Sequence, residues 1–566
     1  MANFTVSPGV SLNEIDNTFL TSEPVQAGAA IVGPTVKGPI ETPVKVTSYS
    51  EYVTMFGDVI ESGSQNYSYL TSIAAHNYFN YGGESLLVTR VASGSFTSAT
   101  SSFISGANEA NCITLETISE GTIMNTGTHG TGGALSTGTK DNVRWEVTTH
   151  NTQSGTFNLL IRQGNDITNK KIILESFNNL SMDPNSENYV AKVIGDQKLS
   201  YDSVNNQITT TGDYRNNSRY VRVKSVNNPT PNYLDANGTP VTAFTGSIPK
   251  PASGSFGAAT GAPFASRAGN FYQNIDSTDA QGLEGANYDT AIKLLSNKED
   301  YKFNVLFTPG LIGANSSAQT NKIIQNTQER GDNLYVHDLV NYGSTITSAI
   351  GRAGSLDNSY AATYWPWVRI SDPATGKLVF VPASTMIPGV YAFNDKVAAP
   401  WFAPAGINRG GLNTVVSAEY KLTQANRDAL YEANINPIAT LPQQGVVVYG
   451  QKTLQKDASA LDRVNVRRLL IELKSFIGQI AETIVFEQNT IVTRGSFLAR
   501  VNPYLEKIQQ KQGLYAFKVI MDDSNNGPDI IDKNQLIGQI YIQPTRTAEF
   551  IALDFILQPT GAEFPG

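Results

Sequence analysis

The sequence predicts an α+β protein of several domains. An α/β core is expected from two separate parts of the chain, with a β-rich region inserted between them and an extended strand at each end. Helix and strand patterns alternate before about residue 92 and again after about residue 281, and the stretch between is rich in Ser, Thr, Gly and Asn. At roughly 150 residues per domain, 566 residues suffice for three to four domains.

The first residues, 1–20, do not have the pattern of a globular domain. Phe4, Val6 and Val10 are apolar at even spacing around a Pro-Gly turn. This spacing is typical of a short strand. We therefore predict an N-terminal strand arm over 1–20.

Residues 21–92 are predicted to form the first part of the core. An apolar run at 29–33 predicts a buried strand, and 49–56 a short helix. A second helix is expected over 68–81, because a Gly-Gly pair follows and is a common helix terminator. A further strand is predicted over 86–91.

Residues 93–280 are predicted to form one or two inserted β-rich domains. Short alternating runs such as 143–147 and 157–161 indicate strands joined by polar turns. Two low-complexity loops, 127–138 and 251–269, interrupt them, and the second is a candidate module boundary.

Residues 281–445 are predicted to form the second part of the core. Helical patterns at 288–295 and 319–330 alternate with strand patterns at 303–307 and 334–336. Alternation of this kind favours a mostly parallel sheet with crossover helices.

A C-terminal domain is expected over 446–545. Apolar residues recur every three or four positions over 461–487, which predicts a long amphipathic helix. The next helix, over 494–512, contains a proline that kinks it or opens its second half. Strands are then predicted over 515–521 and 538–542.

The last residues, 546–566, are predicted to form a C-terminal strand arm, with the strongest strand pattern over 550–557. Both ends of the chain are therefore expected to be short strands outside the globular bodies. Because unpaired strands pair readily with another chain, this organisation points to contacts between chains.

Composition excludes several classes of function. Charged residues make up 16% of the chain, against about 25% in typical soluble domains. The net charge is −8 and no long Lys/Arg run occurs, which argues against direct binding of nucleic acid. A low density of charge suits a chain that buries much of its surface against copies of itself.

The single cysteine, Cys112, rules out intrachain disulfides and cysteine-based zinc fingers. The N-terminal sequence MANFTVSPGV has neither the basic nor the apolar region of a signal peptide. The longest apolar candidate, 469–486, carries three charged residues, so no membrane insertion is expected. We expect the chain to be made and folded in a cytoplasm.

The search for catalytic, cofactor-binding and metal-binding motifs is negative. The four histidines belong to no H-E-x-x-H motif, and no G-x-S-x-G motif occurs. A metal or catalytic role is conceivable for His337 next to Asp338, but a hydrogen-bonded histidine at a sheet edge is the favoured interpretation. Arg467 and Arg468 are interpreted as part of a solvated helix face. We predict a protein that is not an enzyme and needs no cofactor or metal.

Several short segments stand out along the chain, among them Ser7-Pro8-Gly9-Val10, Tyr364-Trp365-Pro366-Trp367, Pro388-Gly389-Val390-Tyr391, Val466-Arg467-Arg468-Leu469, Phe486-Glu487-Gln488-Asn489 and Ala548-Glu549-Phe550-Ile551. In this order they resemble the contractile tail sheath family of phages and related injection systems. The resemblance covers 1–92 and about 285–560, while 93–280 has no matching motif. Phe393 departs from the pattern, because the family more often has Arg there.

The resemblance implies a structural subunit that polymerises as stacked six-subunit rings, in a helical array, around an inner tail tube. Contraction of this sheath would drive the tube through a cell envelope without consuming a nucleotide. The implied partners are copies of the chain itself, the tube protein, and the baseplate and tail terminator proteins. The implied location is the virion tail, after assembly in the host cytoplasm.

The resemblance also assigns roles to parts of the chain. The inserted region, 93–280, would face outward, and the C-terminal domain, 446–545, would face the tube. Lys507 and Lys511 are the predicted tube-facing residues. The residues predicted to exchange strands between subunits are Phe4, Val6, Val10, Ile551, Leu553, Phe555 and Leu557.

One alternative is a surface adhesin that binds glycans through the β-rich region 93–280. It rests on composition alone and is compatible with a sheath role. The sequence also leaves open whether the source is a phage or a bacterial injection system.

Overall fold

The computed structural model describes residues 25–62, 65–262, 271–273, 275 and 280–551. The first part of the core contributes strands and two helices to the fold. Helix α1 begins after Ser48, whose hydroxyl accepts a hydrogen bond from the Glu51 amide. The elements are β1 (Val25–Gly33), β2 (Val44–Val46), α1 (Tyr49–Phe56), β3 (Ile60–Ser62), β4 (Gln65–Tyr67), α2 (Leu70–Asn80) and β5 (Leu86–Arg90).

The inserted region is dominated by antiparallel strands. Its elements are β6 (Ser98–Ser101), β7 (Ile104–Ser105), β8 (Asn111–Glu120), β9 (Val143–Asn151), β10 (Thr156–Gln163), β11 (Ile173–Ser181), α3 (Val190–Ile194), β12 (Lys198–Asp202), β13 (Gln207–Thr211), β14 (Val221–Val226), α4 (Thr242–Thr245), β15 (Ala252–Gly254) and β16 (Phe256–Gly257). Strands β14, β8, β6 and β16, with β7 beside β8, form one sheet, and β11, β10, β9 and β15 form another. One hydrophobic cluster, which includes Leu115 and Trp145, joins the two sheets.

The second part of the core alternates strands and helices, as the sequence predicts. Its elements are α5 (Asp289–Leu294), β17 (Tyr301–Phe307), α6 (Ser317–Arg330), β18 (Leu334–His337), α7 (Ile346–Ala353), β19 (Ala361–Trp365), β20 (Val368–Ser371), β21 (Leu378–Val381), α8 (Ile387–Val397), α9 (Gly406–Arg409), β22 (Val415–Ala418), α10 (Gln424–Glu432), β23 (Asn436–Leu441) and β24 (Gly445–Val448).

The two parts of the core share a single sheet of order β2-β5-β1-β17-β18-β19-β23-β24. Strand β1 lies parallel to β17, with Ala30 opposite Leu306. The strands from β5 to β23 are parallel, and β2 and β24 are antiparallel edges. The parallel strands are apolar and covered on both faces, as is usual for such sheets. The predicted α+β, multidomain fold with a core built from both sides of the insertion is therefore confirmed.

The inserted region is attached to the core by a buried ion pair. Lys37 Nζ lies 3.3 Å from Asp141 Oδ1, and both side chains are less than a tenth exposed. Close by, the Arg90 guanidinium donates to the carbonyls of Gly38 and Glu120. These contacts join the loop after β1 and the end of β5 to the inserted strands.

The C-terminal domain packs two helices against a pair of strands. The elements are α11 (Val464–Glu482), α12 (Ile491–Gln510), β25 (Leu514–Ile520), α13 (Pro528–Ile531) and β26 (Gln539–Pro544). Helix α12 begins three residues earlier than predicted because the Thr490 hydroxyl caps it, and Pro503 lies within it. The Phe476 and Tyr504 rings stack with centroids 3.7 Å apart, so α11 and α12 pack against each other.

Candidate assembly interface

The strand pair β25–β26 offers open backbone edges. The two strands pair antiparallel from Leu514 opposite Pro544 to Ile520 opposite Gln539. Within the described residues neither strand has a second neighbour. Each outer edge therefore presents backbone N–H and C=O groups to an incoming strand. On the solvent side of the pair, Tyr515 and Tyr541 are 65% and 56% exposed.

The segment after β26 returns to the core. Thr545 bonds back to residues that precede β25: its amide donates to the Gly513 carbonyl at 3.2 Å and its hydroxyl to the Gln512 carbonyl at 2.7 Å. Four residues later, the Glu549 carboxylate accepts hydrogen bonds from Arg463 Nε at 2.8 Å, from Gln451 at 3.0 Å and from the Tyr431 hydroxyl. We call these last four side chains the Glu549 anchor.

The electrostatics of the Glu549 anchor favour an ionised carboxylate surrounded by hydrogen-bond donors. Burial works against ionisation of Glu549, but hydrogen bonds from Tyr431, Arg463 and Gln451 outweigh it, so the pKa of the carboxyl is lowered. Burial together with the neighbouring Glu549 carboxylate raises the pKa of the Tyr431 phenol. Glu549 is therefore an ionised acceptor at neutral pH, and Arg463 and Tyr431 remain donors.

Two further arginines attach α11 to the core, and the interpretation of Arg467 and Arg468 as a solvated face is wrong. They are 4% and 5% exposed. The Arg467 guanidinium lies 4.0 Å from the centre of the Tyr360 ring and donates to the Ser359 hydroxyl. Both side chains are buried because α11 is covered by the core along this face, which helical spacing alone does not reveal.

Arg468 makes the equivalent contact on α8. Its guanidinium lies 4.8 Å from the centre of the Tyr391 ring and donates to the Asp395 carboxylate. Burial works against the charge on Arg468, but Asp395 outweighs it and raises the pKa of the guanidinium. Arg468 therefore pairs with Asp395 on α8 and not with Glu472, which lies one turn away on its own helix.

The residues predicted to exchange strands lie mostly outside the part of the chain that the structure describes. This applies to Phe4, Val6, Val10, Leu553, Phe555 and Leu557. Ile551 is described and is 77% exposed, as is its neighbour Phe550 at 84%. Neither residue lies in a strand, and the rest of the predicted strand 550–557 is outside the described residues.

The two predicted tube-facing lysines lie at the C-terminal end of α12. Lys507 is in its last turn and Lys511 directly follows it, and both are exposed. They lie one turn apart, so they project from the same side of the helix end. Their role stays a prediction.

His337 is not the hydrogen-bonded, edge-strand histidine that the sequence favours. It ends β18, an inner strand, and is 1% exposed. Neither ring nitrogen has a hydrogen-bond partner in the described structure. Burial and then the nearby Arg352 lower the pKa of the imidazole to about 3. The neighbouring Asp338 instead accepts hydrogen bonds from Ser384.

Within the described ranges, no group of His, Cys, Asp and Glu side chains has the arrangement of a metal site. Over the same residues, no helix combines the length and the apolar character needed to cross a bilayer.

Comparison with known families gives a direct match over the second half of the chain. Residues 281–454 match the model of the phage tail sheath protein central domain, and residues 456–558 match that of the phage tail sheath C-terminal domain. These two adjoining segments of the chain are thus similar to both domains of phage tail sheath proteins. The Glu549 anchor spans both matched domains, since Tyr431 and Gln451 lie in the first and Arg463 and Glu549 in the second.

Curated sheath proteins match over shorter stretches. The chain is 42% identical over 185 residues to the tail sheath protein of Vibrio phage KVP40, which covers 33% of this chain and 28% of the relative. It is 36% identical over 229 residues to the tail sheath protein of Enterobacteria phage T4, which covers 40% and 35%. The matches thus span about a third of these relatives. They give no support to a glycan-binding adhesin.

The fold is shared more widely than the sequence. A sheath tail protein from Listeria innocua superposes with a TM-score of 0.52 at 9% identity, over 92% of this chain and 96% of that one. This similarity extends the shared fold beyond the matched second half.

The sequence indicated the helices and strands of this region but not the Glu549 anchor. Glu549 stands in the segment Ala548-Glu549-Phe550-Ile551, one of those that carry the family resemblance. No spacing rule connects it with Tyr431, 118 positions away. The sequence signal for this contact was a single carboxylate, Glu549, between the predicted strand 538–542 and the apolar residues that begin at 550.

Proposed function

We propose that this chain is the structural subunit of a contractile tail sheath, without catalytic activity. It would polymerise as stacked six-subunit rings around an inner tail tube, between a baseplate and a tail terminator. Contraction of the polymer would drive the tube through a cell envelope. The observation that carries this proposal is the match of two adjoining sheath domains over 281–454 and 456–558. The proposed location is the virion tail, assembled in the host cytoplasm.

We propose strand exchange as the link between subunits. The open edges of β25 and β26 suit an added strand, and the chain leaves the Glu549 anchor as the exposed residues Phe550 and Ile551. A strand that adds four ladder bonds, at about 0.5–1.5 kcal/mol each, contributes a few kcal/mol per link. Many such links in one polymer resist separation although each is modest.

The tube contact is proposed to include Lys507 and Lys511. Both are exposed at the end of α12, and a tube with an acidic surface would complement them. Reversing both charges, Lys507→Glu with Lys511→Glu, should weaken tube binding and its dependence on salt. The matched control reverses two exposed lysines of the core, Lys293→Glu with Lys298→Glu. Equal effects of both pairs would contradict the assignment.

Electron microscopy of the purified chain at rising concentration tests the proposed function. We expect striated tubes with six-fold end views, alone or after addition of the cognate tube protein. A chain that stays monomeric with the tube present would contradict the proposal.

The strand link is tested at the C-terminal arm. Leu553→Asp with Phe555→Asp changes two positions expected on one face of the predicted strand 550–557, while Asp554→Asn changes the position between them, expected on its other face. We expect the first variant to fold and fail to polymerise, and the second to polymerise normally. Tubes of normal length from the first variant would overturn the strand link.

A further inference from the structure

The loop between α11 and α12 carries an exposed apolar tip. Two exposed loop residues, Val485 and Phe486, and the first two residues of α12, Ile491 and Val492, form this tip, and we call the four the hairpin tip. They are 59%, 101%, 74% and 81% exposed, respectively. Apolar side chains grouped at one projecting end are unusual on a soluble surface and commonly mark a contact with another molecule.

Hydrogen bonds to neighbouring segments fix the conformation of the loop that carries the hairpin tip. The Phe486 backbone has φ +70°, in the left-handed region that bulky residues rarely adopt. The Asn489 side chain fixes the loop from both sides: its amide donates to the Gln535 carbonyl at 2.9 Å and its oxygen accepts from Arg494 at 2.8 Å. A strained, fully exposed aromatic that is braced in this way is typical of a functional surface.

A pocket suited to an aromatic side chain lies elsewhere on the same chain. It has a volume of about 390 Å³ and is formed by α8, α9 and the turn after α2. Its apolar walls come from Phe393, Val397 and Ile407, of which the last two are each 55% exposed. We call it the α8–α9 pocket. Its volume is within the range of about 300–1,000 Å³ that is usual for binding pockets.

The rim of the α8–α9 pocket carries a positive charge. Lys396 lines the pocket, and its side chain is exposed. Its ammonium group can therefore pair with an acidic group of an occupant.

We propose that the hairpin tip of one copy of this chain docks into the α8–α9 pocket of a second copy. Phe486 would enter between Phe393, Val397 and Ile407. The exposed Glu487 that follows Phe486 would meet Lys396 at the rim, so the two surfaces are complementary in charge as well as in polarity.

The tip and the pocket of one chain are too far apart to meet. Arg468 contacts Asp395, the neighbour of Lys396, whereas α11 runs on to Glu482 before the tip begins. At 1.5 Å per residue, that stretch of helix is about 20 Å long. The contact therefore joins different copies. Because it uses two unlike surfaces, it propagates into a ring or an open helical array. The inference rests on the proposed sheath function and adds a contact that is independent of the terminal strands.

Site-directed crosslinking tests the contact. Cys112 is the only cysteine of the chain and is fully buried, so an introduced surface cysteine reacts alone. Full-length Gln488→Cys and Asn408→Cys chains, which keep Phe486 and the apolar pocket walls intact, are mixed and treated with a short bis-maleimide. We expect the mixture to give at least about tenfold more crosslinked dimer than either variant alone. The matched control pairs Gln488→Cys with Val416→Cys, an exposed position on β22.

The outcomes separate this inference from the proposed function. Failure of the mixture to exceed the control overturns the tip–pocket contact, whether or not tubes form. Crosslinking of Gln488→Cys to an added tube protein instead of to Asn408→Cys also overturns it. Absence of tubes, scored separately by microscopy of the unmodified chain, overturns the proposed function. As a second test, Glu487→Lys should reduce the crosslink and Lys396→Glu in the other copy should restore it.

Discussion

Arg463 Nε donates to the Glu549 carboxylate at 2.8 Å, and this bond joins the start of α11 to the segment that leaves β26. Arg463 is the N-terminal cap residue of α11, which the core holds through Arg467 and Arg468. A pull on the residues after Glu549 therefore reaches the core through α11 and also directly through Tyr431 on α10 and Gln451. Neither path passes through the strand pair β25–β26. In a sheath linked by terminal arms, the Glu549 anchor would carry the load between subunits.

Replacing Glu549 should weaken the attachment of this segment. Glu549→Ala leaves Arg463 and Tyr431 without their shared acceptor, and both are partly buried. We expect the free energy of unfolding to fall by about 1–3 kcal/mol, as measured by urea denaturation. The control Glu506→Ala, at an exposed position on α12, should change it by less than about 0.5 kcal/mol. Equal losses in the two variants would contradict the anchor.

The anchor should also make stability depend on acid pH. The pKa of Glu549 in the folded chain lies below the ordinary value of 4.5. Its contribution to stability is therefore complete above pH 4.5 and is lost as pH falls through the lowered pKa. Urea denaturation at pH 6 and pH 3.5 should show a smaller difference for Glu549→Gln than for the unmodified chain. An unchanged pH dependence in the variant would refute this assignment.

The sequence predicted the core because its strands are buried on both faces. Continuous apolar runs such as 29–33 identify strands of a parallel sheet without any knowledge of their neighbours. The core was also predicted to be built from two separate parts of the chain, and β1 beside β17 confirms it. The local sequence pattern is therefore sufficient to predict a strand that is buried on both faces.

The same reasoning failed where burial depends on a distant element. Arg467 and Arg468 have the sequence pattern of surface residues, because a charged pair on an amphipathic helix usually lies on its exposed face. Tyr360 and Tyr391, more than 70 positions earlier, cover them instead. The Glu549 anchor and the α8–α9 pocket were missed for the same reason, since each is assembled from segments with no shared spacing.

Breaking the ion pair between the core and the inserted region should be costly. Asp141→Asn leaves the Lys37 ammonium buried without its carboxylate partner. Loss of one partner of a buried pair costs about 3–5 kcal/mol, so we expect a lower midpoint in urea denaturation. Replacing both residues, Lys37→Met with Asp141→Leu, removes the uncompensated charge and should recover most of that loss.

A second ion pair at the same joint supplies the control for Asp141. Lys140 Nζ lies 2.6 Å from Asp58 Oδ1, but its side chain is 43% exposed. Asp58→Asn should therefore cost less than about 1 kcal/mol. If Asp58→Asn and Asp141→Asn are equally destabilising, burial does not determine the strength of this attachment.

The last prediction concerns how the buried His337 makes the stability of the fold depend on pH. The pKa of His337 is lowered to about 3 from its ordinary 6.5, by burial first and then by Arg352. Below pH 6.5 the unfolded chain takes up a proton that the folded chain refuses, so stability falls by about 1.4 kcal/mol per pH unit until pH approaches 3.

His337→Phe keeps a ring of similar size and removes the titrating group, and its two unpartnered nitrogens, from the site. We expect the variant to be at least as stable as the parent at pH 7.5 and to lose about 1 kcal/mol less between pH 6.5 and 5.5. The control His150→Phe, at an exposed position on β9, should leave the pH dependence unchanged. The same pH slope in His337→Phe and in the parent would mean that His337 titrates normally, and the burial argument would be wrong.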